Sequence, residues 1–195
     1  VPKEYGGLGL DNVTYALIVE ELCKGWMSLS GVLGSHGVMT YVIANFGTEA
    51  QKQRFLPYIA KGEKRGGIGL TEPGAGSDAA NIITKAERLG DDFVIKGEKA
   101  SITFAGYADA CIVFARTSEN GARGISAFLV PLDAPGVTRQ PYFATGERLT
   151  QRGSLFFDGV RVPSRNMIGQ EGQGFYQAMI AFDFNRAIIA LACVG

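Results

Sequence analysis

The chain has 195 residues, 46% of them hydrophobic, with nineteen basic and nineteen acidic side chains. Zero formal net charge leaves no long-range attraction to nucleic acid or to an acidic membrane surface, and no apolar run nears the roughly 18 residues of a membrane span. Three cysteines, Cys23, Cys111 and Cys193, lie far apart with no Cys-x-x-Cys pair, so they read as small buried hydrophobes in a reducing compartment and not as a disulfide frame or zinc site.

Residues 1–64 read as helical. Asp11 or Asn12 is the candidate cap of a helix through "VTYALIVEELCKG", whose two apolar faces predict deep burial. "SLSGVLGSHGVMTYVIANFG" predicts a glycine-broken helix ending near Gly47. Thr48 followed by Gln51 fits a capping box, and the helix it starts, "EAQKQRFLPYIAKG", sets Phe55, Tyr58 and Ile59 on one side. From about Arg65 the period changes to alternation: "DDFVIKGEKASITF", "ACIVFAR", "GISAFLVP" and "SLFFDGVRVP" read as strands. Asp158-Gly159 suits a two-residue hairpin turn between "SLFF" and "VRVP". "GQGFYQAMIAFDFNRAIIALACVG" then returns to a helical period.

This order, without a βαβ rhythm, predicts an α+β fold. Its parts are an N-terminal helical domain (1–64), a central antiparallel β-barrel or sandwich domain (65–168), and the first helix of a C-terminal bundle (169–195). The chain opens on a turn-like "VPKEYGGLG" and stops inside an apolar helical pattern, so it reads as the central piece of a longer protein, the alternative being a chain that buries this helix in an oligomer.

Within "GGIGLTEPGAGSDAAN" lies an apparent dinucleotide signature, Gly74-x-Gly76-x-x-Ala79. Such a turn needs a strand before it, a helix after it, and an acid about 20 residues on. The strand is plausible, and Glu98 lies 22 residues beyond Gly76. The helix fails, because Ile82, Ile83 and Thr84 are a β-branched run where it should be strongest. Pro73 also removes an amide from the phosphate cradle. A nicotinamide enzyme is therefore disfavoured.

Two further features invite a weighing of structure against function. His36 is the only histidine, with no second histidine or cysteine nearby, so a structural contact outweighs catalysis or a metal. Phe175, Met179, Phe182, Arg186, Ile189 and Cys193 follow helical spacing as one stripe, and a guanidinium in such a stripe needs a partner, for which Asp183 is within reach.

"LTEPGAGSD" followed by "KASIT" resembles the flavin-facing segments of the acyl-CoA dehydrogenase family. The likeness runs along the whole chain in the family's order: "VPKEYGGLGL", "FGTEAQKQRFLPYIAKGE", "GDDFVIKGEKASIT", "GISAFLVPLDAPGV", "FFDGVRVP", "GQEGQGF" and "AFDFNRAIIA". The resemblance implies FAD as cofactor and an acyl-CoA thioester as substrate, with α-proton abstraction and β-hydride transfer to flavin N5. It implies an electron-transfer flavoprotein as partner, a homotetramer, and the cytoplasm, or the mitochondrial matrix in a eukaryote. An acyl-CoA oxidase, or a relative that binds acyl-CoA and flavin but lacks its base, is the alternative.

By the same resemblance, Ile68, Gly69, Leu70, Thr71, Gly74, Ala75, Gly76 and Ser77 run past the flavin, with Ser77 also touching the acyl-CoA. Ser101, Ile102 and Thr103 correspond to the family's Trp-Ile-Thr, with Thr103 reaching toward N5. Ser101 departs from that pattern, leaving the flavin face less covered and space for a bulkier substrate or an aromatic from elsewhere. Thr117 aligns with a position near the CoA moiety, and Asp183, Phe184, Asn185 and Arg186 with the segment lining the acyl-CoA entry. One branch of the family carries its catalytic glutamate where this chain has Asn185. An amide cannot take a proton, and no acid present matches the other branch, so no catalytic residue is assigned within these residues.

Overall fold

Asp11 accepts a 2.8 Å hydrogen bond from the Thr14 amide and starts α1, Asn12–Gly25. α2 (Ser28–Phe46) follows, then α3 (Glu49–Ala60), whose N-terminus is closed by the reciprocal Thr48–Gln51 capping box. These elements belong to a computed structural model that describes residues 1–146 and 148–195. After the helices come β1 (Gly66–Gly69), β2 (Lys85–Leu89), β3 (Asp92–Ile102), β4 (Ala110–Arg116), β5 (Ile125–Pro131), β6 (Val137–Pro141), β7 (Gly153–Pro163), β8 (Met167–Ile168) and α4 (Gly174–Ala192). The α+β architecture expected from the sequence is the one observed.

The strands form one mixed sheet in the order β6-β7-β3-β2-β4-β5-β8, with β1 beside β4. Most pairs are antiparallel; β1 runs parallel to β4, and β2 meets β4 in parallel at Lys85–Arg116. β4 shows why its segment is so uniformly apolar. Ile112 and Phe114 enter the core under the helices, while Cys111, Val113 and Ala115 enter a second core on the other face, and a strand buried on both faces needs apolar residues at every position. β5 divides in the same way, Leu129 to one core and Phe128 and Val130 to the other. α4 crosses this sheet closely: a Cβ on Gly174 would lie 2.6 Å from the Ser126 carbonyl carbon. Among the described residues no helix is long and apolar enough to cross a membrane.

Several local expectations need correction. α2 is continuous through its glycines, because its burial against the sheet outweighs their weak helix propensity. α1 buries only Val19 and Cys23 among its described residues, and leaves Leu17 and Ile18 exposed. In α3 the inward residues are Gln51, Leu56 and Ile59, with Tyr58 exposed. Cys193 is exposed, while Cys23 and Cys111 are buried. Asp158-Gly159 makes no hairpin: β7 runs through it. Register passes from Gly97–Phe157 to Ile95–Val160, so Asp158 and Gly159 together oppose Lys96 in a β-bulge, and the positive φ of Gly159, 67°, serves the bulge and not a turn.

Candidate active site

The bend at Pro73 is built around a buried acid. Glu72 and Ala75 exchange backbone hydrogen bonds of 3.0 and 3.1 Å, closing a turn with Pro73 and Gly74 at its tip. Glu72 turns inward and accepts from the Ile83 and Thr84 amides at 2.6 and 3.0 Å and from Lys99 Nζ at 2.7 Å. Lys99 also donates to the Leu70 carbonyl at 3.1 Å and is fully buried. Burial pushes the Lys99 ammonium down to about 8, although the Glu72 carboxylate opposes the shift. Burial alone would raise Glu72; the Lys99 charge and the Ile83 amide more than offset it, and its carboxyl stays below the ordinary range. Beside this pair, burial pushes the Cys111 thiol up to about 12, so it is neutral.

The ion pair ties two segments together. The Ala100 amide donates to the Thr71 carbonyl at 2.9 Å, so the loop from Leu70 to Ser77 lies along the end of β3. On the outer side, a Cβ at Gly74 or Gly76 would meet nothing within 4 Å. The hydroxyls of Thr71, Ser77 and Thr103 carry no hydrogen bond among the described residues, whereas buried Thr84 and Ser126 do. An open backbone with unengaged hydroxyls beside it suits a flat polar ligand.

Thr103 and Ile68 also line a cavity of about 360 Å³ with Ser35, Phe182, Asn185 and Ile189. α2 supplies one wall and α4 the other; Asn185 Oδ1 lies 3.7 Å from where a Cβ on Gly34 would stand. No carboxylate lines this cavity among the described residues.

Other expected residues lie elsewhere. Phe184 stacks between Tyr15 and Tyr41, with centroids 6.2 and 6.0 Å away, and so braces the helices. Asp183 and Arg186 pair at 2.7 Å but are 73% and 64% exposed. The guanidinium is thus in solvent and not in a core stripe, because α4 buries Ala178, Ala181, Ile188 and Ala192, and residue 186 falls opposite Ile188 on the helix. Thr117 sits in a separate cleft with Lys85, Arg88 and Glu171, its hydroxyl 2.9 Å from Ser126 Oγ. His36 points away from the cavity, with Nε2 3.2 Å from the Ile59 carbonyl.

The family models for the acyl-CoA dehydrogenase N-terminal domain and middle domain match residues 1–63 and 67–160. The chain belongs to the acyl-CoA dehydrogenase family. It is 43% identical to the probable acyl-CoA dehydrogenase YngJ of Bacillus subtilis, covering 100% of this chain and 52% of that protein. It is 41% identical to the short-chain specific acyl-CoA dehydrogenase of Clostridium acetobutylicum, covering 99% and 52%. Butyryl-CoA dehydrogenase from Megasphaera elsdenii superposes with a TM-score of 0.93 at 39% identity, over 97% of this chain and 51% of the other. The chain therefore spans about half the length of these acyl-CoA dehydrogenases.

Among the cavity residues that no site expectation named are Gly34, Ser35 and Phe182, the last expected only on the apolar stripe of α4. Gly31, Gly34 and Gly37 recur every three residues on α2, a small-residue stripe that marks where another helix can approach. That stripe was the available signal.

Proposed function

We propose that this chain forms part of a flavin-dependent oxidoreductase that introduces an α,β double bond into an acyl-CoA thioester. One observation carries this reading: Thr103, which lines the 360 Å³ cavity, follows shortly after Ala100, whose amide bonds the Thr71 carbonyl of the open loop, so a bound ring and a bound acyl group would be neighbours. The residues fit FAD, since the glycine loop is unobstructed and the hydroxyls around it are unengaged. Bound FAD supplies acceptance of the β-hydride.

The chain's own residues position and screen. Thr71 and Thr103 offer hydroxyl donors to the ring, Gly74, Ala75 and Gly76 admit it close to backbone, and Ser77 reaches toward the CoA arm. Ile68, Phe182 and Ile189 exclude water from the acyl group. Asn185 can donate or accept a hydrogen bond but cannot take the α-proton, so the base is a carboxylate from outside these residues. In this reading residues 1–64 belong to an N-terminal helical domain, 65–168 form the β domain that binds flavin and acyl-CoA, and 169–195 are the first helix of a C-terminal helical domain. Electrons pass to an electron-transfer flavoprotein, and the assembled enzyme is a homotetramer of the cytoplasm or mitochondrial matrix.

The test is the visible spectrum of the full-length protein, then anaerobic titration with straight, branched and cyclic acyl-CoAs. A yellow protein bleached by at least one thioester is expected, with Thr103→Val slowing bleaching about 10- to 100-fold. A colourless protein that binds NADH overturns the reading, and rapid peroxide formation in air converts it to an oxidase.

A further inference from the structure

Thr103 stands between two residues in a backbone region that side chains rarely adopt. Ser101 has φ 58° and Phe104 φ 67°. The third such non-glycine residue among those described is Gln151, φ 40°, close by on the connection between β6 and β7. Left-handed backbone is disfavoured for L-residues and persists only where its surroundings hold it.

That same connection and the β7 end hold both flanks of Thr103. The Phe104 amide donates to the Thr150 carbonyl at 2.8 Å, and the Ser101 amide donates to Tyr142 Oη at 3.2 Å. The Ser101 amide needs a partner because the ladder is broken there. Register passes from Lys99–Leu155 to Ile102–Gly153, so Ala100 and Ser101 together oppose Ser154, and the bulge withdraws an amide from the sheet.

Tyr142 is itself anchored. Its amide donates to the Arg152 carbonyl at 2.7 Å, its Oη lies 2.8 Å from Ser154 Oγ, and Ser154 Oγ donates to Glu98 Oε1 at 3.3 Å. The proton positions follow from the ends inward. Oη accepts from Ser101, so its own proton goes to Ser154, whose proton goes to Glu98. All donors point one way and end on a carboxylate, which strengthens Oη as an acceptor.

We propose that Tyr142 is a positioning residue for the redox site: its hydroxyl holds Ser101 in the bulged, left-handed conformation and thereby sets where Thr103 meets the flavin. This rests on the flavin reading above. Nothing in the Leu70–Ser77 or "KASIT" patterns points to residue 142, which lies 39 positions beyond Thr103 and reaches the site through its side chain.

The experiment compares full-length wild type, Tyr142→Phe, Ser101→Gly and the double variant. Two quantities are read: hydrogen exchange at the Ser101 amide in flavin-free protein, and the dissociation constant and absorption spectrum of bound flavin. In Tyr142→Phe, Ser101 exchange is expected to rise about tenfold and the flavin dissociation constant by a similar factor, with a shifted long-wavelength band. Adding Ser101→Gly should return flavin affinity to within about twofold of wild type, because glycine takes positive φ without the hydroxyl. A role confined to stability would lower the melting temperature, leave the spectrum unchanged and gain nothing from the glycine.

Flavin bound equally by wild type and Tyr142→Phe, with the same spectrum and the same Ser101 exchange, overturns the proposal alone. A wild type that binds no flavin overturns the functional reading and takes the proposal with it. If Tyr142→Phe does not fold, Ser101→Gly still decides: unchanged flavin affinity and spectrum when Ser154→Ala is added are expected, and a loss there despite the glycine rejects the role.

Discussion

Lys99 is a cation with no exposed surface, and its position under Leu70 and Thr71 makes it the residue whose loss should be felt most widely. Burying a charge costs several kcal/mol unless a counter-charge and hydrogen bonds replace water. Glu72 and the Leu70 carbonyl supply these here. Glu72→Gln should therefore destabilise the protein by about 3–5 kcal/mol in denaturant unfolding, and the Glu72→Gln/Lys99→Met pair by less than the two single changes summed. His36 supplies the pH dependence. Burial holds its pKa below the ordinary value, against the Ile59 carbonyl bond, and Nδ1 is buried with no partner among the described residues. Folded His36 thus stays neutral while the unfolded chain takes up a proton below pH ~6.5. More protons on the unfolded state mean that stability falls as pH drops through that window, by at most about 1.4 kcal/mol per pH unit. His36→Gln, which keeps a donor for Ile59 and does not titrate, should flatten that slope; an unchanged slope would reject the assignment.

At the scale of elements, the Asp158-Gly159 bulge shows what a sequence can and cannot reveal. Positive φ was legible, because asparagine, aspartate and glycine pairs announce it. Whether it made a turn or a bulge depended on partner strands far along the chain, and β7 is held straight by β3 along its length and by β6 over its first half. Gly159→Ala should cost about 1–2 kcal/mol, purely conformational, since only Lys96 Cε lies within 4 Å of the added methyl, at 3.9 Å. Gly174→Ala should cost more, because there the methyl strikes β5 backbone. Matched unfolding curves for the two variants would contradict this division. The capping residues Asp11 and Thr48 were readable because they act within three residues, as was the switch from helical to alternating pattern near Arg65. The buried face of α4 was not, since two apolar stripes compete along it and only packing on α1, α2 and β5 selects one.

Across the whole molecule, the cavity gathers residues from α2, β1, the end of β3 and α4, segments up to about 160 residues apart in the sequence. Motif by motif, the loop at Pro73 and the "KASIT" strand could be recognised because each is contiguous. Phe182, expected only on the apolar stripe of α4, and Ser35, in no motif, could not be placed at the site, because only the crossing of α2 by α4 brings them together. The same crossing makes Asn185 a position at which the proposed reaction can be tested. It stands on the cavity wall opposite Gly34, with a side chain that cannot remove a proton. If the base enters this cavity from outside these residues, a carboxylate placed at 185 should work on the same substrate carbon from the α4 side. In full-length protein inactivated by a carboxyl-to-amide change at its own base, Asn185→Glu should raise the anaerobic bleaching rate about 100-fold over that inactive parent, the lower end of what a positioned general base contributes. The glutamate should show a raised pKa in an apolar wall, so recovered activity should climb with pH until it ionises. Bleaching that stays at the parent's level at every pH, with flavin and thioester still bound, would mean that Asn185 does not face the reacting carbon.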